Sequence, residues 1–148
     1  MYKHILVSTD GSELSTKAIR TAVALASATG AKLTGVYVIE PFMASDYGEG
    51  VIYGPGYSRK QYKKMTEREA RMALAAIEIE AGASGVRCAT MTLTAESPWG
   101  GILIAAKTKG ADLIVMASHG RRGLSGLLLG RETTKVLTHS TIPVLVCR

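Results

Sequence analysis

The chain has 148 residues, of which 47% are hydrophobic, 20% charged and 5% aromatic, with 16 glycines and four prolines. This is one domain's length, residues 1–148, with a globular composition that excludes disordered, collagen-like and disulfide-scaffold readings. Eighteen Lys and Arg against 12 Asp and Glu leave a net charge of +6, which favours an anionic partner: a nucleotide, a nucleic acid or a membrane surface.

Apolar runs and helix-period segments alternate along the chain. Ile5 to Thr9 reads as a short strand that stops at Asp10-Gly11-Ser12, where Ser12 offers an oxygen to cap a helix start. Ala18, Ile19, Ala22, Val23, Leu25 and Ala26 recur at helical spacing until Gly30 closes the segment. Lys32 to Ile39 is a second strand, and a helix dense in Lys, Arg, Glu and Ala follows from Ser58 to Ala81, with Gly82 and Gly85 as its stop. Val86 to Leu93 is a third strand. Pro98 opens a third helix with Trp99, Ile102, Leu103 and Ala106 at i, i+3, i+4, i+7. Asp112 to Ala117 is a nearly all-apolar strand. A glycine-rich loop, a helix from Thr133 to His139 and a strand from Pro143 to Cys147 complete the order.

Continuous apolar strands alternating with amphipathic helices predict a parallel sheet covered on both faces. The expected fold is α/β: an open, doubly wound, Rossmann-like sheet of five strands in the order 3-2-1-4-5. The Glu40 to Tyr57 connection, with Pro41, Gly48, Gly50, Gly54, Pro55 and Gly56, is of a length that goes with a lid, a binding loop or disorder.

Cys88 and Cys147 lie outside any CxxC or Cys/His spacing and are expected to be reduced, buried small hydrophobes. The N-terminus runs straight into a strand without a signal-peptide pattern, and no apolar run reaches the ~20 residues that span a bilayer. A cytoplasmic protein with no membrane association is the expectation. His4 and His139 stand isolated, so no metal site is expected. Ser118 and His119 are adjacent, a spacing at which two side chains rarely meet productively. Glu67 with Glu69, and Glu78 with Glu80, stand at i, i+2 and so should face solvent in different directions. Arg59 to Arg71 holds six basic and two acidic residues, with Tyr53, Tyr57 and Tyr62 nearby. The favoured reading is a solvated face with i,i+4 pairs; nucleic-acid binding is the disfavoured one.

Ligands of open α/β sheets bind beyond the carboxyl ends of the strands. Here that edge carries Ser8, Thr9, Asp10 and Gly11, Val38, and Met116 to Gly120. Gly120, Gly123, Gly126 and Gly130 lead into the last helix, and Arg121, Arg122 and Arg131 add positive charge, an arrangement suited to an anion. The sequence has neither a Walker P-loop nor a GxGxxG fingerprint after the first strand.

The segments ILVSTDGSELSTKA and MASHGRRGLSGLLLG…VLTHSTIPVLV resemble the universal stress protein (UspA) family, and the resemblance covers the whole chain. The family's nucleotide-binding branch carries Gly-x-x-Gly, nine residues, then Gly-Ser or Gly-Thr. This spacing fits Ala117-Ser118-His119-Gly120, nine residues, then Gly130-Arg131. Ala117 replaces the first glycine. Arg131 replaces the Ser or Thr, removing a hydroxyl and supplying a guanidinium that can pair with a phosphate.

The resemblance implies ATP binding, with magnesium carried by the nucleotide, in a stress-response sensor or regulator. Asp10 would lie beside adenine and ribose with Ser8 and Thr9 nearby, and Val38 would line the adenine pocket. Met116, Ala117 and Gly120 would line the ribose and α-phosphate, with Ser118, His119, Arg121 and Gly123 in the same loop. Gly130, Arg131, Glu132 and Thr133 would face the outer phosphates, where the Glu132 carboxylate is an awkward neighbour. The resemblance also implies a homodimer through the last strand, Val144 to Cys147. Hydrolysis is expected to be slow or absent, because no general base or Walker lysine can be named. The alternative is a non-nucleotide-binding dimeric stress protein that serves as an interaction module.

Overall fold

A computed structural model of the chain describes residues 1–43, 58–121 and 128–148. Nine elements follow in order: β1 (His4–Ser8), α1 (Glu13–Thr29), β2 (Lys32–Ile39), α2 (Arg59–Ala83), β3 (Cys88–Thr94), α3 (Pro98–Lys109), β4 (Leu113–Ala117), α4 (Arg131–His139) and β5 (Val144–Cys147). The strands form one parallel sheet in the order β3-β2-β1-β4-β5, as expected. Most of the Glu40–Tyr57 connection lies outside the described residues, as do Arg122, Gly123 and Gly126.

Side chains of successive strand residues point to opposite faces, and each face meets its own helices. Ile5, Val7, Leu33, Leu113 and Val115 pack against Ala18, Ile19, Ala22 and Val23 of α1 and against Ala70, Leu74 and Ile77 of α2. On the other face Leu6, Val36, Ile114 and Met116 pack against Ile102, Ala105 and Ala106 of α3 and against Val136 of α4. Glycine at position 35 lets α2 sit close on β2, because a Cβ there would lie 2.6 Å from Ile77 Cδ1.

Local chemistry sets the helix ends. Ser12 accepts from Ser15 N at 3.2 Å, and Gly30, at φ +70°, ends α1 in the left-handed region. Ser58 and Gln61 form a reciprocal capping box on α2. That helix passes through Gly82 to Ala83 rather than stopping at Ala81, and the left-handed turn is made by Gly85 instead. Helix α4 begins at Arg131, two residues before the expected start, with Gly130 at its N-cap and so no side-chain acceptor there. Both cysteines are free, but they are half-buried rather than buried, since β3 and β5 are the sheet's edge strands.

At the opposite end of the sheet, Asp112 accepts from the backbone N–H groups of Lys3 and His4, tying the start of β4 to that of β1. His4 is 6% exposed, and its Nε2 lies 2.7 Å from Thr34 Oγ1. Burial, aided by the Lys32 ammonium, holds its pKa below the ordinary 6.5. A depressed histidine pKa means that the unfolded chain takes up the proton first, so stability present above pH 6.5 falls as the pH drops below it. Urea unfolding between pH 7.5 and 5.5 is therefore expected to show a larger loss for the native chain than for His4→Gln; equal losses would contradict this assignment.

Candidate functional site

Strands β1 and β4 are neighbours in the sheet, yet their chains leave it toward opposite faces, α1 on one and α4 on the other. A crevice opens at the ends of such strands. Beyond β1, Thr9 is 7% exposed and its Oγ1 accepts from Gly11 N, while Gly11 itself turns at φ +78°. Asp10 is the tie between the two strand ends. Its Oδ1 accepts from Ser12 N at 2.9 Å and its Oδ2 from Arg121 N at 2.8 Å. The carboxylate presses so close to Gly120 that a Cβ there would collide with Oδ2.

Beyond β4 the chain leaves at Ser118 and returns at Gly130, and this neck is closed by backbone. Ser118 N donates to Cys147 O and Gly130 N to Ser118 O, both at 2.7 Å. The Thr133 hydroxyl, 1% exposed as a residue, sits 3.0 Å from the carbonyl oxygens of both Ala117 and Ser118. A Cβ on Gly130 would lie 3.0 Å from His119 Cα, so the neck closes this tightly only with glycine there. Gly130 brings no capping side chain to α4. The first-turn amides of Arg131, Glu132 and Thr133 are thus left to a partner other than a cap, at the positive end of the helix dipole.

These pieces surround a cleft of about 640 Å³. Of the residues singled out from the sequence, Ser8, Thr9, Asp10, Val38, Met116, Ala117, His119, Gly120, Arg121, Gly130, Arg131, Glu132 and Thr133 line it. Ser118 does not; it is 4% exposed, turned behind the wall. Gly123 lies outside the described residues. Contrary to expectation, Ser118 and His119 do meet: the bend after β4 brings Ser118 Oγ within 3.1 Å of His119 Nδ1. Among the described residues no carboxylate bonds to that ring.

One whole wall of the cleft comes from α2. Tyr62, Met65, Thr66 and Glu69 of α2 line the cleft, and their spacing of i, i+3, i+4, i+7 is the signal that could have placed them on one face. Tyr62 is buried, its hydroxyl donating to Glu40 O at 2.6 Å. The pair Glu67 and Glu69 divides: Glu67 is exposed, whereas Glu69 takes an ion pair from Arg121 at 3.2 Å and stands 3.5 Å from the Tyr37 hydroxyl. Burial pushes the Tyr37 phenol above its ordinary pKa against the pull of Arg121, so it stays a neutral donor. The Arg121 guanidinium is accordingly directed to α2 rather than to the neck, while Arg131 remains beside the start of α4.

Glu132 has a local partner that the sequence did not reveal. Its Oε2 accepts from Trp99 N at 2.8 Å, in the first turn of α3, and the Trp99 ring stacks on His139 at 4.7 Å. Helix α3 thereby draws this carboxylate toward its own positive end.

The Universal stress protein family matches residues 1–148 of this chain. The chain belongs to the universal stress protein family. Universal stress protein YxiE of Bacillus subtilis (strain 168) is 34% identical to it over 149 residues, covering 100% of both chains. Among solved structures, a universal stress protein family member from Burkholderia pseudomallei superposes with a TM-score of 0.76 at 28% identity, covering 98% of this chain and 95% of the other. A universal stress protein solved in complex with cAMP has a TM-score of 0.71 at 25% identity, covering 99% and 97%. In this universal stress protein, Thr133→Val should cost about 1–3 kcal/mol in urea unfolding, because two buried carbonyls lose their hydroxyl partner. Glu69→Gln, at a half-exposed pair, should cost less than about 1 kcal/mol; equal costs would show that the neck is not held by Thr133.

Proposed function

We propose that this universal stress protein binds an adenine nucleotide, ATP, in the cleft at the carboxyl edge of the sheet, and acts as a nucleotide-linked sensor or regulator in a stress response. The observation that carries this reading is the closed neck: backbone bonds and Thr133 hold the uncapped start of α4, with Arg131, against the cleft. Helix N-termini bearing free amides suit phosphate groups. The cleft volume of about 640 Å³ falls within the usual range of ligand pockets. A related universal stress protein, 25% identical, is described in complex with cAMP, which supports an adenine nucleotide as the class of ligand.

In this reading Asp10, Ser8 and Thr9 lie toward adenine and ribose, and Val38 lines the base pocket. Met116, Ala117 and Gly120 flank the ribose and α-phosphate. Gly130, Arg131 and Thr133 meet the outer phosphates, with Arg131 acting in place of a hydroxyl. Glu132 fits beside them because Trp99 N–H occupies its carboxylate. Magnesium carried by the nucleotide would supply countercharge to the phosphates. Hydrolysis is slow, since the sequence holds no Walker lysine. The protein is a homodimer paired through β5, an edge strand whose Leu145 is 37% exposed. Sedimentation velocity checks the pairing, and a monomer at micromolar concentration contradicts it.

Calorimetry with ATP, ADP and AMP tests the site. ATP should bind, and Arg131→Ala should weaken it roughly tenfold while leaving AMP nearly unchanged, because a charge-assisted hydrogen bond to an outer phosphate is lost. No heat with any of the three at millimolar concentration removes the reading. The missing hydroxyl at position 131 favours the alternative, a dimeric interaction module without nucleotide, and that negative result, together with an absorbance free of co-purified nucleotide, would discriminate in its favour.

A further inference from the structure

Helix α2 buries Ala70, Ala73, Leu74, Ile77 and Ala81 against the sheet. At 3.6 residues per turn, the strip opposite that buried line carries Lys64, Arg68, Arg71, Met72 and Ile79. It runs for about 22 Å of helix from Lys64 to Ile79. No carboxylate falls on it. Glu69 turns into the cleft toward Arg121, Glu78 accepts from the Thr90 hydroxyl at 2.6 Å on β3, and Glu67 and Glu80 project from the flanks.

The expected i,i+4 pairs are not formed, since the ion pair seen among the described residues is Arg121–Glu69. Lys64, Arg68 and Arg71 are all exposed. Beyond them on the same strip Met72 is 66% exposed and Ile79 72% exposed, about two turns apart on the same helix face. A row of unpaired cations continued by protruding apolar side chains is the pattern of a surface that settles into a lipid headgroup layer.

We propose that the outer face of α2 docks reversibly on an anionic membrane surface, with Lys64, Arg68 and Arg71 on headgroup phosphates and Met72 and Ile79 entering the headgroup–acyl boundary. A nucleic acid would also attract the cations, but its phosphate backbone offers nothing to Met72 and Ile79. The aromatic residue described within the basic run, Tyr62, is 5% exposed and is not presented to bases. The site is separate from the cleft and does not rest on nucleotide binding. The absence of a helix able to cross a bilayer among the described residues is compatible with it, because docking of this kind is peripheral.

Co-sedimentation of the full chain with phosphatidylcholine vesicles, with and without phosphatidylglycerol, tests the proposal. Binding is expected only to the anionic vesicles, weakening as salt rises toward about 0.15 M. Arg68→Glu with Arg71→Glu should reduce it at least roughly tenfold. Met72→Ser with Ile79→Ser should reduce it several-fold with every charge intact. All four positions are exposed, and unchanged melting curves will show that the variants fold. Equal binding to neutral vesicles, or none to anionic vesicles at low salt, overturns the proposal. So does full binding by the Met72/Ile79 variant, or retardation of duplex DNA without vesicle binding.

Discussion

The site depends on one carboxylate. Asp10 accepts one backbone N–H from its own loop and another from Arg121 across the crevice, so the ends of β1 and β4 are fixed to each other where the sheet would otherwise open. Glycine at 120 follows from this closeness, since any side chain there would strike the carboxylate. The same closeness sets the path of the chain from Ser118, and with it the point at which Gly130 can return to form the neck. Asp10 retains lone pairs for a ligand, because each oxygen accepts more than one hydrogen bond. Its structural and proposed binding roles are therefore compatible.

The cleft's electrostatics are less uniform than the chain's net charge of +6 implies. Asp10, Glu40, Glu69 and Glu132 face Arg121 and Arg131 around it. Three of the carboxylates have partners within the protein: Asp10 has backbone amides, Glu69 has Arg121, and Glu132 has the first turn of α3. Among the described residues around the cleft, Arg131 and the first-turn amides of α4 remain uncommitted. Local pairing, rather than total charge, makes this edge suited to an anion, while much of the positive surplus lies on the outer face of α2.

The fold is legible in the sequence because its signals are local and consistent. The limits of β2, the Ser12 cap, the αL end at Gly30 and the start of α3 at Pro98 all follow from residue type and period. The spacing from Ala117 to Gly130 is legible through the family resemblance, and the structure gives Gly120 and Gly130 close neighbours that a Cβ would strike or crowd. What could not be read is tertiary. Glu69 looks like a solvent-facing member of an i, i+2 pair until α2 is placed against β2, and the partner of Glu132 is a backbone amide 33 positions away. The helix-capping role of Gly130 is similarly hidden, because it rests on what the residue lacks. That Arg121 is committed to Glu69, leaving Arg131 at the start of α4, appears only once α2 is packed.

The crystal structure of the protein soaked with ATP and magnesium tests the central claim most directly. The account predicts the phosphates at the first-turn amides of Arg131, Glu132 and Thr133, with the Arg131 guanidinium on an outer phosphate oxygen and the base toward Val38. Phosphates held elsewhere, with Arg131 turned into solvent and the start of α4 empty, would contradict it.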